Sequence, residues 1–300
     1  MRILLTGRGG QLGRALQPLL SEWGDVVAID RDDVDFAAAE SLNNALERIQ
    51  PRLIVNTAAF TNVDGAETAA DTAFAANAVA PEVLARWAER TGSALVHYST
   101  DYVFDGSGVA PWREDDAPAP LNVYGKSKLA GDRAVLDSKA YAIILRTSWV
   151  YDAEGQNFLR TMLRLGAERE ELAVVDDQIG APTPAYLLAE ITANILRQAD
   201  GDFAKFLNKN GGVVNATASG ATSWHGFAEA IFEDARRRGW PLRINRVRGI
   251  PTTEYPLPAT RPLNSRLDLR ELARRFEIAS LDWRSGLRAI MDSLPPPAID

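Results

Sequence analysis

Near the start of the chain, apolar residues come in short unbroken runs. After each run they recur every three or four positions. Met1–Thr6, Val26–Ile29, Leu53–Asn56, Leu95–Tyr98 and Ala140–Thr147 read as buried strands, each apolar run being closed by a turn signal or a polar cluster. Arg14–Leu20, Ala69–Ala80 and Pro81–Arg90 carry helical spacing. Strands alternating with helices to about residue 150 predict a parallel sheet covered on both faces. Beyond that point the pattern loosens. Asn157–Leu165, Ala185–Arg197, Trp224–Arg238 and Leu281–Leu294 read as helices, the third with Ser223 as its N-cap. Leu172–Val175 and Val213–Asn215 read as strands, Thr252–Pro262 as a proline-rich irregular loop, and Pro295–Pro297 as a frayed tail.

The first strand runs into Gly7-Arg8-Gly9-Gly10-Gln11-Leu12-Gly13, directly ahead of the first helix. Strand, glycine turn and helix form the context of a dinucleotide-binding fingerprint. In Gly7-x-x-Gly10-x-x-Gly13, Gly7 allows the tight turn and Gly10 lets the backbone approach a pyrophosphate. Gly13 lets the helix pack on the strand. The free N–H groups at the helix start, from Gln11 onward, can hold the diphosphate. Asp30 closes the second strand, seventeen residues after Gly13, near where a carboxylate meets the adenosine ribose. Its charge repels a 2′-phosphate, while Arg8 and Arg31 flank it and can neutralise it. The third strand ends in Thr57-Ala58-Ala59, small residues that let the backbone lie along a cofactor.

Ser99, Thr100 and Asp101 close the fourth strand. In a parallel sheet, ligands lie outside the carboxyl ends of the strands. A hydroxyl there can polarise a substrate carbonyl. Twenty-four residues after Thr100 comes Tyr124, and Lys128 follows on the same helical face. An ammonium beside a phenol favours the phenolate, so Lys128 is expected to lower the pKa of Tyr124 from its ordinary value of about 10. A phenol so tuned acts as a general acid or base on a carbonyl/alcohol pair. Thr100, Tyr124 and Lys128 together make a Thr-Tyr-Lys reductase triad.

These motifs continue in Val55-Asn56-x-Ala58-Ala59-x-Thr61-x-Val63-Asp64-x-Ala66-Glu67, Ser99-Thr100-Asp101-Tyr102-Val103-Phe104 and Pro118-x-Pro120-Leu121-Asn122-x-Tyr124-Gly125-x-x-Lys128. Further blocks are Arg146-Thr147-Ser148-Trp149-Val150-Tyr151, Asp176-Asp177-Gln178-x-Gly180-Ala181-Pro182-Thr183 and Arg261-Pro262-x-Asn264-Ser265-x-Leu267. With them, nearly the whole chain resembles an extended short-chain dehydrogenase/reductase and, more narrowly, the dTDP-4-dehydrorhamnose reductases. The resemblance implies an α/β chain with a Rossmann-type, doubly wound parallel sheet over residues 1–150. It implies a smaller C-terminal substrate-binding region over 151–300, some segments of which return to the N-terminal sheet. It also implies reduction of the C4 ketone of dTDP-4-dehydro-L-rhamnose by NADPH, with NADH used as well. Thr100, Tyr124 and Lys128 are then catalytic, Lys128 also bonding the nicotinamide ribose. Gly7, Gly10, Gln11, Leu12, Gly13, Asp30, Arg31, Ala58, Ala59 and Thr61 join Tyr124 and Lys128 in holding the cofactor. Ser99, Thr100, Asp101, Tyr124, Trp149 and Arg261 face the nucleotide-sugar, Trp149 by stacking on the hexose and Arg261 by pairing with the diphosphate. Asn77 orients the lysine, and Gln178 with Gly180–Thr183 lies near the site.

Two departures from the family pattern matter. Some members are described as metal-bridged dimers using a carboxylate on the first helix. Here Gln11–Leu20 has no Asp or Glu, and Ala15 stands at that place. No metal ligand is therefore assigned, Mg2+ is unsupported, and a homodimer stays open. Gly65 stands where a lysine is common, which removes one cationic contact. Alternatives are another nucleotide-sugar reductase or epimerase, or a cofactor-binding regulatory subunit like the eukaryotic relative that regulates methionine adenosyltransferase.

Composition agrees with a soluble enzyme. The chain of 300 residues is 46% hydrophobic, enough for a sizeable core. With no cysteine there is no disulfide framework and no thiol nucleophile. The only histidines, His97 and His225, are far apart in sequence. A net charge of −7 argues against a nucleic-acid footprint. Without an apolar run of spanning length or a signal-peptide pattern, no membrane partner is expected, and the cytoplasm is the expected location.

Overall fold

The apolar runs become one parallel sheet: β1 (Arg2–Thr6), β2 (Asp25–Ile29), β3 (Leu53–Asn56), β4 (Ala94–Thr100), β5 (Tyr141–Thr147) and β6 (Gly212–Asn215). Their spatial order is β2-β1-β3-β4-β5-β6, and every pairing is parallel. The computed structural model describes residues 1–294, so the tail expected at Pro295–Pro297 lies outside the described residues.

Alternation along β1 shows how two layers form. Ile3 and Leu5 enter a core with Leu16 and Leu20 of α1 (Gln11–Leu20), whereas Leu4 enters a second core with Leu42 and Leu46 of α2 (Ala39–Ile49). Successive side chains of a strand point to opposite faces, so an unbroken apolar run feeds both layers. Residues from α3 (Ala80–Thr91) join the second layer, and α4 (Val123–Asp137) precedes β5. The first layer also takes in α5 (Phe158–Glu168), α6 (Ala185–Arg197) and α7 (Trp224–Arg237), so the core under the sheet draws on both halves of the chain. This is the doubly wound α/β fold.

The helix expected from Ala69 through Arg90 is interrupted. Residues Ala70–Phe74 and Ala80–Thr91 are α-helical, but Ala75–Val79 forms a wide π turn. Pro81 has no N–H to offer the Asn77 carbonyl four residues earlier, which opens the ladder at that point. Ser223 caps α7 as expected, its hydroxyl accepting the Gly226 N–H at 3.0 Å. The pattern reading misses α2, the helices Phe203–Asn210 and Arg270–Phe276, and strand Arg246–Ile250, which pairs in parallel with Glu171–Val175. No helix among the described residues is long and apolar enough to cross a membrane.

Candidate active site

From β1 the chain crosses to β2 on one side and then to β3 on the other, so the sheet has its switch point between β1 and β3. The glycine turn after β1 and Thr57-Ala58-Ala59 after β3 both open there. Gly7 has φ +74°, a conformation costly for any residue with a Cβ. A Cβ on Gly13 would run into the Gly7 carbonyl, so the helix packs onto the turn only through a glycine. Helix α1 begins after Gly10 with no side-chain cap and no acidic residue in its first turn. The N–H groups of Gln11, Leu12 and Gly13 therefore face the crevice without a side-chain acceptor, an arrangement that fits a diphosphate.

The other expected cofactor residues surround this turn. The Asp30 carboxylate accepts the Gly9 and Arg31 N–H groups, each at 2.9 Å. Arg8 does not pair with Asp30 as the sequence suggested; it bridges Asp33 at 2.7 Å and the Ala28 carbonyl at 3.0 Å. The Gln11 side chain accepts from Asn157 at 2.9 Å. Leu12 packs on the core. The Ala58 N–H donates to Thr6 Oγ1 at 3.3 Å, Ala59 is half-buried and Thr61 is exposed.

Helix α4 carries Tyr124 and Lys128. Its N-cap, Asn122, accepts the Gly125 N–H and donates to the Thr260 carbonyl, both at 2.8 Å. The Val123 N–H is taken by Glu67, also at 2.8 Å. Side chains at Gly125 and Gly131 would strike the Tyr102 and Asn77 carbonyls, so these glycines let the helix lie close to its neighbours. Asn77 is fully buried. It grips the Phe60 N–H and carbonyl and donates to Ser127 at 3.0 Å, on the same helix.

Thr100 lies at the end of β4. Its hydroxyl accepts the Tyr102 N–H and donates to Asp101, each at 3.2 Å. The Tyr124 ring meets Tyr102 edge-on, with centroids 5.6 Å apart. Lys128 is 3% exposed and its ammonium donates to the Tyr98 carbonyl at 2.6 Å. Burial draws the Lys128 pKa down to about 8, against the pull of Asp132. One expectation is reversed here. The Tyr124 phenol is pushed above its ordinary value by burial, helped by Asp101 and Asp132 and opposed by the Thr100 hydroxyl. The Lys128 ammonium is bonded to the Tyr98 carbonyl rather than to the phenol.

The expected substrate residues divide. Ser99 and Asp101 are buried, at 4% and 2% exposure, and bond to protein groups: Ser99 donates to Asp132 at 2.8 Å, and Asp101 accepts from Thr100. Burial pushes the Asp101 carboxyl up to about 7, although bonds from Ser265 and Thr100 oppose it. Arg261 holds Asp64 in a two-bond fork at 3.0 and 2.6 Å. Its guanidinium keeps Asp64 below its ordinary range. Trp149, with φ +50°, stacks on Trp224 at 3.6 Å and lies over Gly180, where a Cβ would strike the indole. Gln178 accepts the Trp224 indole N–H at 3.2 Å and donates to Thr252 at 3.0 Å. Sequence reasoning missed Asp132, Arg146 and Trp224. For Asp132 a signal existed, since it lies one helical turn beyond Lys128. Among the described residues, no group of three or more His, Asp or Glu side chains is placed to hold a metal ion.

Comparison with known proteins gives one consistent family. Residues 1–295 match the family described as the RmlD substrate binding domain. The dTDP-4-dehydrorhamnose reductase of Escherichia coli (strain K12) is 45% identical over 300 residues, covering 98% of each chain. Among solved structures, a dTDP-4-dehydrorhamnose reductase from Clostridium acetobutylicum superposes with TM-score 0.89 at 35% identity, covering 98% of this chain and 99% of that one. A dTDP-4-dehydrorhamnose reductase from Bacillus anthracis, solved in complex with NADP, superposes with TM-score 0.87 at 33% identity and the same coverage.

Proposed function

The chain belongs to the dTDP-4-dehydrorhamnose reductase family, and from that premise we infer how its own residues work: it is a nicotinamide-dependent oxidoreductase that reduces the C4 ketone of dTDP-4-dehydro-L-rhamnose to dTDP-L-rhamnose, the last step of dTDP-rhamnose biosynthesis. What supports the mechanism is the placing of Thr100 at the end of β4 and of Tyr124 and Lys128 on α4, whose Lys128 bonds that same strand at Tyr98, with the uncapped start of α1 after β1.

When bound, the nicotinamide cofactor supplies a hydride to the ketone carbon. The N–H groups of Gln11, Leu12 and Gly13 hold its diphosphate, and Gly7 and Gly10 bring the backbone close. Lys128 serves its nicotinamide ribose, and Ala58, Ala59 and Thr61 line its path. Tyr124 is the general acid. Its phenol is protonated near neutral pH, the form a reduction requires, and the proton passes to the oxygen where charge develops. Thr100 donates to the same oxygen once its hydroxyl turns from Asp101. Lys128 meets the tyrosinate left behind only once its ammonium turns from the Tyr98 carbonyl. These groups complement charge that appears only in the transition state.

On the substrate side, Trp149 and its partner Trp224 offer an aromatic wall to the hexose. Arg261 reaches the diphosphate only by releasing Asp64. Asp101 acts through Thr100 rather than on a sugar hydroxyl, and Ser99 acts through Asp132. NADPH is the preferred reductant, with NADH also used. Asp30 is already engaged by two backbone N–H groups, and exposed Arg31 remains beside it for a 2′-phosphate. The nucleotide-sugar is the partner, with residues 151–300 as its binding region and the cytoplasm as the place of work.

The test is oxidation of NADPH, then of NADH, with the ketosugar generated from dTDP-glucose by the dehydratase and epimerase that precede this step. Oxidation that requires both upstream enzymes and yields dTDP-L-rhamnose is expected. No oxidation despite tight NADPH binding would overturn the reading.

A further inference from the structure

Behind the reacting groups lies a buried cluster that the mechanism above touches only through Ser99. Asp132 sits on α4 one turn beyond Lys128 and is wholly buried. One carboxylate oxygen accepts the Ser99 hydroxyl at 2.8 Å and Arg146 Nε at 3.4 Å, and the other has no partner. Arg146, at the end of β5, is 4% exposed, lies over the Phe104 ring and donates to the Glu114 carbonyl at 3.3 Å. A buried carboxylate with an unpaired oxygen and one long bond to its cation is a poor stabilising device, since its desolvation is only partly offset. Its position suits another purpose. It joins the helix of Tyr124 and Lys128 to the residue just before Thr100, and it sets a carboxyl one helical turn from a buried ammonium; burial pushes that carboxyl up, and Arg146, Ser99 and Lys128 draw it back.

We propose that Asp132 is a positioning residue of this site: its carboxylate is the counter-charge that keeps buried Lys128 an ammonium, and its bond to Ser99 holds the end of β4 so that Thr100 faces Tyr124. The titratable groups facing Lys128 are Asp132 from its own helix and His97 from β4. His97 is buried and held neutral, so it brings no competing charge. Arg146, from β5, acts on Lys128 by sharing Asp132. Asp101 bears on Tyr124, which lies on the same helix.

The proposal rests on Lys128 being the catalytic cation, so its test has two arms. In the first, Asp132→Asn removes the charge at nearly constant shape, Asp132→Glu restores it, and Ser99→Ala breaks the bond while leaving the charge. The alkaline limb of kcat/KM against pH should move down by about one pH unit in D132N. It should stay in place in S99A, with kcat lowered throughout, and return towards the wild-type position in D132E. In the second arm, lysine side chains labelled with carbon-13 at Cε are titrated by NMR. The chain has only five lysines, and K128R assigns the signal. Lys128 should lose its proton at lower pH in D132N than in wild type, whether or not turnover is seen. If D132N does not fold, Arg146→Gln serves instead, because without Arg146 the Asp132 carboxyl rises towards its neutral form and Lys128 should move in the same direction as in D132N. An unmoved Lys128 titration in a folded D132N or R146Q protein overturns the proposal. A wild-type enzyme that reduces nothing overturns the functional reading alone, since the titration stands apart from turnover.

Discussion

Trp224→Ala tests whether the aromatic wall is held by packing. Trp149 adopts φ +50°, which costs a residue with a side chain about 1–2 kcal/mol. What holds it there is the stack on Trp224, with rings 3.6 Å apart and inclined by 7°. Such a pair is worth about 0.5–1.5 kcal/mol beyond the area it buries. The two figures nearly cancel, so Trp149 should leave this conformation once its partner is gone. Trp224 also leans on Phe158 at 4.7 Å and donates its indole N–H to Gln178 at 3.2 Å. Truncating a fully buried tryptophan costs about 3–5 kcal/mol, and half of that suits a half-buried ring. Adding the stranded Gln178 oxygen, at about 1 kcal/mol, gives a loss of about 2–4 kcal/mol. At roughly 2–4 °C per kcal/mol, the melting temperature should fall by about 5–15 °C. Thermal melts followed by circular dichroism read the stability, the near-ultraviolet spectrum reads the stack, and steady-state kinetics should show a raised KM for the ketosugar. Trp224→Phe keeps a ring and loses the N–H bond, so it should recover most of the stability. A W224A protein that melts within about 2 °C of wild type, with its near-ultraviolet spectrum intact, would refute the reasoning.

Three other outcomes are expected. Tyr124→Phe keeps the ring against Tyr102 and removes the proton donor, so kcat should fall by about 10²–10⁴ while NADPH binding, read by fluorescence titration, stays near wild type; near-wild-type kcat would remove Tyr124 as the acid. Asp33→Ala releases Arg8 from its 2.7 Å pair, and the kcat/KM ratio of NADPH over NADH should rise by about three- to tenfold, because a freed guanidinium favours the 2′-phosphate; an unchanged ratio would show that Arg8 does not face that group. Asp101 carries a pKa raised from 3.8 to about 7, so between those values the folded chain holds a proton that the unfolded chain releases. Its contribution is therefore fully present below the unfolded value and is lost as pH rises through about 7. Asp101→Asn should flatten that decline in denaturation midpoints measured across the same range, and an unaltered slope would show that Asp101 titrates normally.

What was legible in the sequence was local. The turn at Gly7 and the close packing at Gly13 were legible because both are set within a dozen residues. Helix α6 (Ala185–Arg197) was read to its ends for the same reason. The pairs that shape the substrate side are long-range. Arg261 meets Asp64 from 197 positions away, and no spacing rule links Trp149 to Trp224. The Tyr124–Lys128 pair lies between these cases. An i,i+4 spacing brings two side chains to one helical face, but it does not bring their tips together. The Lys128 stem carries its ammonium to the Tyr98 carbonyl, where the end of β4 supplies a buried acceptor. Tyr124 is then left to burial, which raises its pKa where proximity alone would have lowered it. The motif therefore identifies the acid, and the tertiary environment decides its strength: burial makes the phenol a weaker acid than proximity to an ammonium would, so its proton leaves only as charge grows on the forming alkoxide.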